Sequence, residues 1–220
     1  MILLAIDTSG SGCFAAIHDS DSNVTLGFAG EDIGRGHAER LMAFVDAALD
    51  SAGVELSAID RIAVTIGPGS FTGIRVGVAA ARGLSLALGV PAVGVSTLAA
   101  IAAGHLSGHP AAPVFVAIDA KRGEAYCQAF AADGSAITAP QVLSLEEARS
   151  AAEASRGTVI GSAAALVAGT AGEIEPSRPI PIETVARLGA LADPVGDKPK
   201  PLYLRGPDAK PQAGFAIARV

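Results

Sequence analysis

Ile62-Ala63-Val64-Thr65-Ile66-Gly67-Pro68-Gly69-Ser70-Phe71-Thr72-Gly73-Ile74-Arg75 carries the chain from one kind of structure into another. The first five residues are mostly β-branched and read as a short strand over 62–66. The glycine-rich run from Gly67 to Gly73 stops it. Residues 74–88 then read as a helix that is apolar nearly all round, apart from a narrow row holding Arg75 and Arg82. Such a helix is expected to be covered on most of its sides. Gly73, Gly77 and Ala81 recur every four residues, a spacing that lets another helix approach its backbone. Strand, glycine loop and helix in that order make the unit of an α/β fold. Free amides at a helix start bind anions, so Gly67, Gly69 and Ser70 form a candidate phosphate loop. A plain cap with forced backbone angles reads equally well. No Gly-Lys-Ser/Thr follows the glycines, which excludes a Walker A loop, and the dinucleotide spacing is absent too.

Toward the N-terminus, residues 2–6 form a continuous apolar run suited to a strand buried on both faces. Residues 13–18 and 24–29 read as two further strands, with turns at Ser9-Gly10-Ser11-Gly12 and Asp19-Ser20-Asp21-Ser22-Asn23. Asp7-Thr8-Ser9 stands where the first strand ends. Its hydroxyls and amides could cradle a phosphate, with Asp7 holding hydrated Mg²⁺, or could merely shape the turn. Residues 38–52 read as a helix with Leu41, Met42, Val45, Ala48, Leu49 and Ala52 on one stripe and Gly53 as its stop. Phe44 falls off the edge of that stripe.

Toward the C-terminus, 92–95 reads as a strand and 97–103 as a helix capped by Ser96-Thr97. The Gly/Pro/Ala-rich stretch 104–113 marks a boundary, giving domains over 1–104 and 105–220. The second half repeats the α/β pattern: strands at 114–118, 125–131 and 159–160, and helices at 145–154 and 184–192. The last helix is expected to pack back on the first domain. The tail beyond Asp193 reads as extended, and its Lys198, Lys200, Arg205 and Lys210 as a solvated or partner-ordered basic stretch.

The whole chain has 220 residues, of which 50% are hydrophobic, enough for a core. Sixteen Lys and Arg against 22 Asp and Glu leave a net charge of -6, which excludes a stand-alone nucleic-acid binder. Cys13 and Cys127, the only cysteines, read as buried thiols and cannot alone build a zinc site. The N-terminal run lacks a basic leader, no segment reads as a clean membrane span, and a cytoplasmic protein is expected. His105 and His109 are four apart, but Gly104, Gly108 and Pro110 put them in a loop, not on one helix face. His18 is isolated in a strand, and His37 is expected to help a helix terminus. Asp119-Ala120-Lys121-Arg122-Gly123-Glu124 reads as a solvated charged hairpin.

Ile6-Asp7-Thr8-Ser9, the Gly67 to Arg75 segment, Gly94-Val95-Ser96-Thr97-Leu98, Asp119 to Glu124 and Pro201-Leu202-Tyr203-Leu204-Arg205 together resemble the TsaB (YeaZ) family. The match runs in order over nearly the whole chain. It implies an α/β fold of two actin-like (sugar kinase/actin superfamily) domains with an interdomain cleft. It also implies a non-catalytic partner of the catalytic subunit TsaD, working with the ATPase TsaE. Together they make threonylcarbamoyladenosine at the tRNA adenosine beside the anticodon, and tRNA is met only through the complex. Older usage calls the family glycoprotease-like. The metal-binding His-x-x-x-His pair of TsaD-like relatives aligns here with Thr97 and Ile101, and an Ile cannot ligate a metal.

The resemblance further implies a partner face on the helices 38–52 and 74–88, with Leu41, Phe44, Ile74, Val78, Arg75 and Arg82 as its residues. The same face would give a homodimer when the chain is alone. No cofactor is implied, beyond weak ATP or ADP with Mg²⁺ at the complex interface. The competing reading is an actin-like enzyme in its own right: a nucleotide hydrolase using Asp7, or a metal-dependent transferase or peptidase.

Overall fold

The computed structural model describes residues 1–109, 112–169 and 180–205. A five-stranded sheet dominates the first half, built from β1 (Ile2–Asp7), β2 (Gly12–Asp19), β3 (Val24–Asp32), β4 (Arg61–Gly67) and β5 (Ala92–Ser96) in the order β3-β2-β1-β4-β5. β1 runs antiparallel to β2 and parallel to β4. Its unbroken apolar sequence follows from that central position. Leu4 and Ile6 face one core, under α1 (His37–Ala52) and α2 (Phe71–Leu88), while Leu3 and Ala5 face the other. The second core is closed by α6 (Ile182–Leu191), which returns from the far end of the chain.

A four-stranded sheet forms the second half: β6 (Val114–Lys121), β7 (Glu124–Phe130), β8 (Gln141–Ser144) and β9 (Thr158–Ile160), in the order β8-β7-β6-β9. It repeats the first sheet in shortened form, since β6 is antiparallel to β7 and parallel to β9 as β1 is to β2 and β4. α4 (Leu145–Ser155) and α5 (Ala164–Ala168) cover one face of it. α3 (Thr97–Leu106) covers the other, through Leu98, Ala102 and Leu106, and also gives Ala100 to the core beneath α6. The result is α/β with two mixed sheets, as the resemblance implies.

Several boundaries differ from the sequence reading. α2 starts at Phe71, because Ser70 caps it by accepting from the Gly73 amide at 3.2 Å. α3 runs past Gly104 to Leu106, so His105 is helical. A mid-helix glycine costs about 1 kcal/mol, which the burial of Leu106 offsets. β8 and α5 carry no strong periodicity, and the sequence reading contains neither.

Arg61 fixes α6 in place. Its Nη1 donates to the carbonyls of Gly189, Ala190 and Ala192 at 3.0, 2.9 and 2.9 Å, capping the helix from the neighbouring strand. The helix dipole adds to this contact, since a cation at a helix C-terminus is favoured. Among the described residues one helix, α2, is long and apolar enough to cross a membrane, with a mean hydropathy of 1.3. Its Ile74, Val78 and Ala81 pack into the first core.

Candidate functional site

β1 and β4 are adjacent and parallel, so the segments that follow them meet at one end of the sheet. The Asp7-Thr8-Ser9 turn thereby touches the Gly67–Ser70 loop, as ligand sites at strand C-terminal ends require. Several polar groups there bond one another. Asp7 Oδ1 accepts from the Ser9 amide at 2.9 Å, the Ser9 hydroxyl at 2.7 Å and the Thr65 hydroxyl at 2.7 Å. Thr8 Oγ1 donates to the Gly73 carbonyl at 2.8 Å, and the Ser70 amide donates to the Ser9 carbonyl at 2.7 Å. Asp7, Thr8 and Ser9 are all buried. Gly69 passes so near that a Cβ would lie 2.1 Å from the Ser9 carbonyl oxygen. Thr65 is a member of this network that sequence reasoning missed, because a Thr within a β-branched run looks like any strand residue.

A cavity of about 40 Å³ lies between the two halves, lined among others by Asp7, Ser9, Gly69, Thr97, Ile101 and Ile118. A bound nucleotide needs several hundred Å³, whereas this space suits two or three waters. Thr97 and Ile101 both line it from α3, the two positions that the resemblance matches to a histidine pair. Thr97 is 5% exposed, and its Oγ1 has no partner among the described residues. No group of three or more His, Cys, Asp or Glu converges among the described residues. His105 and His109 stack with ring centroids 4.7 Å apart, contrary to the expected loop separation.

The proposed partner-face residues divide in two. Leu41, Phe44, Ile74 and Val78 belong to the first core, with Phe44 only 7% exposed. They are therefore not available to a partner, which corrects the sequence reading. Phe44 follows Leu41 by three positions and shares its face, so it lies on the core stripe rather than beyond it. Arg40 covers its ring with a guanidinium 5.0 Å from the centroid. Arg75 and Arg82 do face outward, in a row with Phe71 and with Leu86, which is 80% exposed. The small-residue row is likewise filled by the chain itself. A Cβ at Gly77 would lie 2.3 Å from Thr8 Oγ1, so the row seats the sheet rather than another helix.

Arg75 is held by neighbours that sequence reasoning missed. Its guanidinium stacks 3.6 Å over the Phe71 ring, and its Nε donates to the Tyr203 hydroxyl at 2.7 Å. Tyr203 is legible in the sequence only as part of the Pro201 to Arg205 segment. Arg205, read as part of a solvated tail, instead pairs with Glu124 and donates to the Ala120 carbonyl at 3.1 Å. The Asp119 to Glu124 turn is thus only partly solvated. Lys121 and Arg122 hold φ of 62° and 59° there, with Asp119 accepting from the Lys121 amide at 2.7 Å. Lys200 pairs with Asp197 on the surface, and Lys210 lies outside the described residues. His37 makes no side-chain cap at α1, and its Nε2 is buried without a partner among the described residues.

Comparison with known proteins places these features. Residues 15–175 match the family model TsaD: tRNA N6-adenosine threonylcarbamoyltransferase. The uncharacterized protein Rv3421c of Mycobacterium tuberculosis is 38% identical over 219 residues, spanning 96% of this chain and 95% of its own. The Escherichia coli protein named tRNA threonylcarbamoyladenosine biosynthesis protein TsaB is 39% identical over 137 residues, 62% of this chain and 58% of its own length. A crystal structure described as an uncharacterized protein with similarity to peptidase YEAZ from Pseudomonas aeruginosa superposes with a TM-score of 0.75. It is 32% identical and covers 93% of this chain and 99% of its own. A structure of YeaZ from Pseudomonas aeruginosa superposes with a TM-score of 0.59 at 38% identity, over 65% of this chain and 67% of its own. By its sequence over both halves and by its superposition on YeaZ, the chain belongs to the TsaD family of threonylcarbamoyltransferase-related proteins, in its TsaB (YeaZ) group.

Proposed function

We propose that the chain is a non-catalytic subunit in tRNA threonylcarbamoyladenosine biosynthesis, working in the cytoplasm by holding a TsaD-type catalytic subunit in its productive arrangement. The observation that carries this reading is at the cleft. At the two positions that the resemblance matches to the metal-binding histidine pair of TsaD-like proteins, Thr97 and Ile101 line a cavity of about 40 Å³. A hydroxyl and a hydrocarbon offer a metal no adequate donor pair. The chain then contributes a surface instead of a reaction.

That surface is the outer side of α1 and α2. α2 presents Phe71, Arg75, Arg82 and Leu86, and α1 presents Met42, Asp46 and Asp50. Aromatic and arginine side chains around apolar ones suit a protein interface. With an acidic row beside a basic one, the face is also self-complementary, which supports a homodimer in the absence of the catalytic subunit. A TsaE-type ATPase joins the assembled pair, and tRNA is bound by the assembly. The chain needs no cofactor of its own; ATP or ADP with Mg²⁺ binds weakly at the interface between subunits, not in the closed cleft.

Reconstitution tests this directly. Modification of tRNA by TsaD and TsaE is measured with and without the chain, and the reading requires activity to depend on it. Turnover of ATP or peptide by the purified chain alone, with stoichiometric bound metal, would instead establish an enzyme.

A further inference from the structure

The segment from Pro199 to Arg205 ties the two halves together. The Leu202 amide donates to the Ile66 carbonyl at 2.7 Å, extending the end of β4 just before the Gly67–Ser70 loop. Tyr203 lies against Phe71 with ring centroids 5.7 Å apart and accepts from Arg75. Two residues later Arg205 reaches the second sheet, bonding Glu124 and the Ala120 carbonyl at the β6–β7 turn.

These two anchorages stand on opposite walls of the cleft. Pro68 and Gly69 line the cavity from the first half, one loop away from Ile66, and Ile118 lines it from β6, two residues before Ala120. We infer that residues 199–205 form a clasp that sets how far the cleft opens, and that freeing Arg205 from the β6–β7 turn opens the cleft to solvent. α3 also joins the two halves, since it packs on the core beneath α6 and on the second sheet. The clasp is suited to release: Arg205 and Glu124 are 25% and 40% exposed, so their pair is partly screened, and Tyr203 meets Arg75 at the surface. Because Tyr203 and Arg75 belong to the clasp and also to the outer face of α2, whatever covers that face bears on the cleft as well.

Thiol labelling tests the clasp. Thr97→Cys places a thiol of nearly the same size in the cleft, where Thr97 is almost wholly buried. Cys13, in the first core, and Cys127, in the core between the second sheet and α4 and α5, are internal controls. The probe is 5,5′-dithiobis(2-nitrobenzoate) under native conditions. Adding Arg205→Ala or Glu124→Gln raises the labelling rate of the introduced thiol about tenfold or more and leaves Cys13 and Cys127 unchanged, as for a local opening. An unchanged rate at the introduced thiol, or acceleration of all three thiols together, overturns the clasp. Hydrogen exchange on Arg205→Ala with Thr97 retained gives the same decision without the introduced thiol. The amides of Ser9 and Ser70 exchange faster while those of β1 and β6 hold; equal exchange at Ser9 and Ser70 rejects the proposal.

Discussion

Gly73 lies so close to Thr8 that a Cβ on it would stand 2.0 Å from the Thr8 carbonyl oxygen. That oxygen belongs to the backbone of the turn after β1, a central strand, so it cannot move aside as a flexible side chain would. The start of α2 is seated on the end of β1 by the absence of a side chain. Gly73→Ala is expected to destabilise the protein by about 2–3 kcal/mol in spite of alanine's better helix propensity. Gly83, on the outer side of the same helix, has nothing within 4 Å of a would-be Cβ. Gly83→Ala is expected to stabilise by about 0.5–1 kcal/mol. Urea unfolding of the two variants beside the parent checks both signs at once.

Arg61 joins the first sheet to a helix 128 positions away through a bond to the Gly189 carbonyl. Methionine at this position keeps the apolar stem but strips three carbonyls of their donor. Arg61→Met is expected to cost about 2–4 kcal/mol, as loss of buried charge-assisted hydrogen bonds does. The loss should be uneven. Amides of α6 should exchange with solvent sooner than those of β6 and β7, and uniform loosening of both sheets would refute α6 as the element that Arg61 holds.

Burial pushes the Cys13 thiol up to about 11 and the Cys127 thiol up to about 12. An unfolded thiol titrates near about 8.5. Above that pH the unfolded chain loses protons that the folded chain keeps, so stability falls as pH rises from about 9 through 11. His18 works in the other direction. Burial in β2 lowers its pKa, so below about 6.5 the unfolded chain takes up a proton that the folded chain resists, and stability falls with acid. The melting temperature is expected to be highest between these limits. Cys127→Ala should flatten the alkaline limb and His18→Gln the acid limb. An alkaline limb as steep in Cys127→Ala and in Cys13→Ala as in the parent would show that other groups cause it.

Local order is largely legible in the sequence, and long-range placement is not. The unbroken run from Ile2 to Ile6 announces a strand buried on both faces, and it has a core on each side. Gly53 announces the end of α1 and adopts φ 64° there. Phe44 misleads because a stripe drawn through Met42, which is exposed, leaves out Phe44, which is buried beside Leu41, Val45 and Ala48. The site is legible by composition but not by state. Asp7, Ser9 and Gly69 do meet at the cleft, yet no spacing in the sequence says that Asp7 Oδ1 is already engaged by Ser9 and Thr65. The partners of Arg75 and Arg205 are hidden for a simpler reason. Tyr203 and Glu124 are separated from them by 128 and 81 positions, and a charged residue in a polar tail carries no mark of what it meets.

The split between buried and outward residues on α2 lets folding be tested apart from the proposed assembly. Ile74 lies in the first core, whereas Leu86 is 80% exposed. Ile74→Asp buries an unpaired carboxylate and is expected to cost about 3–5 kcal/mol, enough to unfold the chain or melt it far below the parent. Its failure to associate would then say nothing about the interface. Leu86→Asp and Arg82→Glu lie on the outer row and are expected to shift stability by less than about 0.5 kcal/mol. Both should nevertheless lose co-purification with a TsaD-type subunit, because each sets a negative charge in a face that Phe71, Arg75 and Leu86 make apolar and basic. Sedimentation of the isolated variants reports the homodimer in the same samples. Retention of both the TsaD complex and the homodimer by Leu86→Asp, with parental melting, would move the interface off α2.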